Sequence, residues 1–254
     1  MASPPADNSN LIGSSNPRAV QRKRHDRIVL VVTYALILLA VWTPLPWQRV
    51  ISLVALVWVM LVTWLSIDDS REMGLRGPGF HRSLWVAGAA LLIAAAAVLV
   101  ATRVQTLHAP ATPVLFVQRY WAYTIWSFLQ EFLLLNFFLL RLVRLLPSRN
   151  AAVLVATGLF TIAHLPNPVL TVLTLFWGWA SCRLFLHYRS LYTLAMAHAI
   201  LGISIAITIP GPVHHNMRVG LGYFTYNPNK FTHRSQMDHT VSTQEWVMAE
   251  APTR

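Results

Sequence analysis

Four stretches of about twenty residues decide what this chain can fold into: three carry no charge, and the fourth carries one, at its middle. Ile28 to Trp47, Val50 to Ile67 and Ser83 to Thr102 are uncharged. Each approaches the ~20 residues with which a helix crosses the hydrocarbon core. Tyr120 to Leu140 has the same length, with Glu131 at its centre. Only 11% of the 254 residues are charged, about half the usual share in a soluble domain. The solvent for most of this chain is therefore lipid.

The region Ala151 to Cys182 is too long for one span and is broken at His164-Leu165-Pro166-Asn167-Pro168. Two prolines stop helix continuation and push the residues before them toward extended backbone. The spacing predicts helices over about 150–164 and 168–187, joined by a tight turn at the membrane surface. A last run, Ser190 to Ile209, ends at Pro210-Gly211-Pro212. The expected fold is all-α, a polytopic membrane bundle of about seven helices. An interfacial segment near Met217–Tyr226 is a candidate eighth. The expected divisions are a disordered basic arm over 1–27, the bundle over 28–212 and a polar tail over 213–254. No internal repeat is evident.

The formal charge of +11 invites a nucleic-acid partner, but most arginines punctuate the apolar runs instead of forming one basic face. At span ends they orient the spans and meet lipid head groups. An inside N-terminus places thirteen Lys and Arg in the cytoplasm and seven outside, four of those in the tail. That distribution predicts an N-terminus inside and a C-terminus outside, in a bacterial cytoplasmic membrane. The first run is read as a retained anchor, because no small-x-small cleavage site follows it. The single Cys182 offers neither an internal disulfide nor a CxxC pair.

Glu131 is the only acidic residue between Glu72 and Asp238. A carboxylate at a helix centre costs roughly 2.5–3.5 kcal/mol on insertion scales, so it needs a partner or a task. A structural arginine is the plain alternative, but Arg141 on the same helix lies about 15 Å away. His164 and His198 are the two histidines placed at span depth, and His214 and His215 fall in what reads as a solvated loop. His164 ends a helix at an irregular turn where water can enter. His198 sits among Ala195, Ala197 and Ala199, small residues that permit close helix approach. Zinc on Glu131, His164 and His198 gains no support from spacing: there is no HExxH, and the three lie on separate helices. Without metal, a carboxylate and a histidine can deprotonate a water while the second histidine stabilises an oxyanion. Tryptophans such as Trp42, Trp85 and Trp177 read as an interfacial belt, and Gly220-Leu221-Gly222 lacks the context of a phosphate loop.

Three runs, taken in order, resemble one family. Gln130-Glu131-Phe132-Leu133-Leu134-Leu135-Asn136 is similar to the Glu-Glu-x-x-x-Arg motif of the CAAX protease and bacteriocin-processing family. Phe160-Thr161-Ile162-Ala163-His164 matches its Phe-x-x-x-His motif. Phe176-Trp177-Gly178, Arg189-Ser190-Leu191 and His198-Ala199-Ile200-Leu201-Gly202 resemble its last block, which normally reads His-x-x-x-Asn. The resemblance covers about residues 115–205. It implies an intramembrane endopeptidase cutting membrane-associated or exported polypeptides near a terminus. Glu131 and His164 would activate water, His198 would hold the oxyanion, Gln130, Phe160, Asn136 and Gly202 would support them, and no cofactor would be required. Three positions depart from the pattern. Gln130 stands in place of the first glutamate, Leu135 in place of the arginine and Gly202 in place of the asparagine.

Those departures motivate a second function class, a non-catalytic relative that binds a hydrophobic peptide as an immunity or scaffold protein. A small proton-coupled transporter is a third, since buried carboxylates and histidines also build proton relays. The lack of a repeated hydropathy pattern counts against it.

Overall fold

The computed structural model describes residues 17–65, 73–74 and 78–227, and every regular element among them is helical. Helix α1 spans Pro17–Trp42, α2 Trp47–Leu65, α3 Pro78–Arg103 and α4 Pro113–Glu131. A π-helical segment, Phe132–Leu139, continues α4 into α5, Leu140–Leu145. Then follow α6 (Arg149–Ile162), α7 (Pro168–Tyr188) and α8 (Leu191–Thr208), and the short elements α9 (Gly211–His214), a 3₁₀ turn (His215–Met217) and α10 (Leu221–Phe224). Five helices are long and apolar enough to cross a membrane: Val20–Trp42, Trp47–Leu65, Gly79–Arg103, Pro168–Tyr188 and Leu191–Thr208. The other two expected spans correspond to the composite α4–π–α5 helix and to the 14-residue α6.

Local chemistry sets the helix starts. Pro113 and Pro168 occupy first-turn positions where a missing N–H costs nothing. Thr112, Ser148 and Asn167 accept from the N–H groups of Leu115, Ala151 and Leu170, capping α4, α6 and α7. The chain alternates between two ends of the bundle. At one end the Leu191 N–H reaches the Gly74 carbonyl (3.1 Å) and Arg144 pairs with Asp26. At the other the His108 N–H reaches the Ile207 carbonyl (3.0 Å) and the Gly220 N–H reaches the Leu165 carbonyl (2.8 Å). Gly220 has a positive φ of 54°, and a Cβ there would collide with Val41 on α1.

The π segment is the axis of the fold. It packs against α6, α7 and α8, and Leu134 to Leu139 are consecutively buried. Six buried residues in a row leave no face for lipid, which is the expected state of a helix hydrophobic all round. Around it α3 and α4 pack along α8, α6 along α7, and α1 along α2.

Two expectations are corrected here. The arm expected to be disordered over 1–27 is helical from Pro17, because α1 extends past the lipid-facing run to deliver Asp26; residues 1–16 lie outside the described residues. Asp26 is only 4% exposed and takes a bidentate pair from Arg144 (2.9 and 3.1 Å), with Arg141 Nε at 3.6 Å. The tail is likewise structured as far as Asn227, and only its remainder, 228–254, falls outside the described residues. Its His214 is buried, not solvated: its Nδ1 accepts from the Met217 N–H, and its carbonyl accepts from Asn167 Nδ2 (2.8 Å).

The ion cluster predicts a stability effect. Asp26→Ala leaves two neighbouring cations without their anion, one of them buried, and removing one partner of a buried pair costs about 3–5 kcal/mol. The expected outcome is a clear fall in the unfolding midpoint of the detergent-solubilised protein, while Asp26→Glu keeps most of the stability.

Candidate active site

Four polar side chains of the site come from three helices and one turn. Glu131 ends α4 at the junction with the π segment, His164 lies in the turn between α6 and α7, Trp177 is midway along α7, and His198 is mid-α8. Irregular π turns of this kind are often found at functional sites. Glu131 is completely buried. Its Oε1 accepts from the Trp177 indole N–H and meets His198 Nδ1 at 2.9 Å. Oε2 has no hydrogen-bond partner among the described residues. The partners are therefore an indole and an imidazole, and the cations Arg141 and Arg144 are engaged with Asp26 instead.

His164 is oriented by the turn it occupies. Its Nδ1 lies 2.7 Å from the Phe160 carbonyl, an acceptor that assigns the proton to Nδ1. Nε2 then carries the lone pair and faces the Gln130 amide nitrogen at 3.4 Å, a long and weak contact. Phe160 packs edge-on against both imidazoles, with ring centroids 4.8 Å from His164 and 6.1 Å from His198. Trp177 stands 6.0 Å from His198. The bend between α6 and α7 is fixed by Asn167, fully buried, which caps α7 and donates to the carbonyls of His214 (2.8 Å) and Arg218 (3.0 Å).

A cavity of about 1090 Å³ opens beside this cluster. Its walls are mainly apolar, drawn from α1 to α4, the π segment and α6 to α8, together with Met217 and Val219. Gln130, His164, Trp177 and His198 line it, and Glu131 does not. The site is thus layered: two imidazoles and an amide face the cavity, and the carboxylate stands behind His198. A mainly apolar hollow with a few convergent polar groups is the usual form of a binding site.

Each residue singled out in the sequence can now be placed. Glu131, His198, His164, Gln130 and Phe160 converge within one cluster. Gly202 lies one turn beyond His198 and lines the same cavity. Asn136 is not brought there: it is buried in the π segment, and neither side-chain polar atom has a hydrogen-bond partner among the described residues. Trp177, read from sequence as part of an interfacial belt, is instead the second anchor of Glu131. The available signal was its position mid-helix next to Gly178, since a buried indole N–H usually seeks an acceptor. Among the described residues, no group of three His, Cys, Asp or Glu side chains is arranged to hold a metal ion.

With this geometry in hand, comparison with known proteins adds one finding. Residues 112–203 match the family model described as type II CAAX prenyl endopeptidase Rce1-like. The matched segment runs from the cap of α4 into α8 and contains Gln130, Glu131, Phe160, His164, Trp177, His198 and Gly202. Neither the curated proteins nor the solved structures return a match. The residues of the site thus lie in a segment similar to the Rce1-like endopeptidases, within a chain whose described regular elements are all helical and include five helices long and apolar enough to cross a membrane.

Proposed function

We propose that this chain is an intramembrane endopeptidase that cuts a membrane-associated or exported polypeptide near one terminus, using His164, His198 and Glu131. One observation carries the reading: two imidazoles with opposite hydrogen-bond settings face one apolar cavity inside the bundle. His164 Nε2 presents a lone pair and is the general base. His198 is tied at Nδ1 to Glu131. With one proton shared in that contact and a second on Nε2, the pair carries no net charge, a favourable condition in low dielectric. Nε2 is then a donor for a developing oxyanion.

The steps balance as an ordinary hydrolysis. A water between His164 and the substrate carbonyl loses a proton to His164 Nε2 as its oxygen adds to the carbon. The C=O electron pair moves onto oxygen, where His198 Nε2–H receives it. Collapse re-forms the C=O bond and breaks the C–N bond, and His164 returns its proton to the leaving amine. Glu131 orients His198, a role its position behind the cavity wall favours over direct contact with water. Gln130 steers the water, and the reaction uses the chain's own side chains with no cofactor.

A second reading has its own observation. Gln130 occupies the place beside His164, and among the described residues no carboxylate lines the cavity. A chain that holds a peptide without cutting it, as an immunity or scaffold protein, would need no more than this.

For orientation we propose seven crossings in a bacterial cytoplasmic membrane, counting the composite helix and α6, with the N-terminus inside. The α6–α7 turn and the segment after α8 then lie outside, so the site sits toward the face that exported substrates meet.

Three outcomes follow. Terminal peptides of membrane and exported proteins, compared between hosts making the wild type and Glu131→Ala at equal abundance, should show trimmed ends only with wild type; identical ends would sink the peptidase reading. Gln130→Glu should raise the trimming rate about 10-fold or more by adding a base beside His164. If only the Gln130→Glu protein trims, the natural chain is the non-catalytic binder. Leu165, 41% exposed in the turn, should react after Leu165→Cys with an impermeant maleimide added outside. Cys182 is buried and should stay silent. Labelling only after the membrane is opened would reverse the topology.

A further inference from the structure

The cavity wall holds a polar tip that the reaction above leaves unused. Tyr123 on α4 lies seven residues before Gln130, two turns along the same face, and both line the cavity. Its ring crosses to α8 and packs against Gly202. A Cβ built at Gly202 would overlap the Tyr123 hydroxyl and stand 2.6 Å from Cζ and 2.8 Å from Cε1. The phenol therefore occupies the notch that the missing side chain leaves in α8. Gly202 follows His198 by four residues, so this notch is the next position along the face that bears the imidazole.

Three other polar groups along the wall are already engaged. The Trp177 indole serves Glu131, the Tyr34 hydroxyl donates to the Leu159 carbonyl (3.1 Å), and the Thr174 hydroxyl donates to the Leu170 carbonyl (2.7 Å). Ser127, one turn along α4 and beside the phenol, spends its own O–H on the Tyr123 carbonyl (3.0 Å). It can accept from the phenol but has no proton of its own to offer. A tyrosine ring has few rotamers to lose, and wedging against α8 fixes its tip before any ligand arrives, as electrostatic preorganisation requires.

We propose that Tyr123 is a catalytic residue, its hydroxyl acting with His198 as the second donor to the oxyanion. The assignment rests on the peptidase reading. When water adds and the C=O pair moves onto oxygen, that oxygen accepts from His198 Nε2–H and from Tyr123 Oη–H together. The phenol keeps its proton throughout; when the C–N bond breaks, the proton on the leaving amine comes from His164. Gly202 is the structural condition for this second donor, because any side chain there would expel the hydroxyl.

The test follows the rate at which trimmed termini accumulate in a bacterial membrane carrying the full chain. Wild type, Glu131→Ala, Tyr123→Phe, Gly202→Ala and the Tyr123→Phe/Gly202→Ala double variant are compared at equal abundance. Tyr123→Phe keeps the ring and should slow trimming about 100-fold, the usual effect of deleting one oxyanion donor. Gly202→Ala should slow it comparably by displacing the hydroxyl. The double variant should be no slower than the slower single, since both remove one interaction. Wild-type speed in Tyr123→Phe, with Glu131→Ala inert, would overturn the role of Tyr123 and leave the peptidase standing. Identical termini in wild type and Glu131→Ala would overturn both.

Discussion

A carboxylate fully removed from solvent, in a bundle built for lipid, is the constraint from which the arrangement around it follows. Glu131 is answered by an indole from α7 and an imidazole from α8, so three helices meet at one oxygen. Neutral or shared-proton partners suit this depth, where a desolvated full ion pair can cost more than its attraction returns. The buried ions of the opposite end, Asp26 with Arg141 and Arg144, are kept where the helices emerge. Polarity is thus divided: charge at one rim, hydrogen-bonding rings at depth.

The same constraint explains why His198 is the better-anchored imidazole. Its Nδ1 is committed to Glu131, and its ring is flanked by Phe160 and Trp177. His164 is set by its own turn, through a carbonyl four residues earlier. One imidazole is positioned by tertiary contacts and the other by local backbone. That difference permits the two to hold protons in different ways while facing one cavity.

Much of this was legible in the sequence, and for physical reasons. Uncharged runs give spans because lipid tolerates little else, and the prolines at 166 and 168 mark the α6–α7 bend with the helix boundaries close to those found. Glu131, His164 and His198 stood out because polar groups at span depth are rare. What stayed hidden is pairing. Nothing in spacing says that Glu131 meets His198 and not His164, since their separation in sequence is spanned by intervening helices. Nor does spacing show that Gln130, one residue away, turns toward the cavity while Glu131 turns from it. Asp26 fell within the arm expected to be disordered because its partners lie more than a hundred residues on. The π segment was also invisible: Phe132–Leu139 has the composition of any apolar helix, and only its hydrogen-bond ladder distinguishes it.

That ladder has a mechanical meaning. In an α-helix each residue advances about 100° around the axis, and a π turn advances less because its bonds close one residue later. The segment therefore acts as a phase adjuster between Gln130–Glu131 above it and Arg141–Arg144 below. Both ends of one continuous rod must point correctly at once, the upper toward α7 and α8 and the lower toward Asp26 on α1. A tightened coil would satisfy one end and rotate the other away. The angular setting of the site is thus stored in the winding of eight residues that give its cavity apolar wall, through Leu133, Leu134 and Phe138, but no polar group.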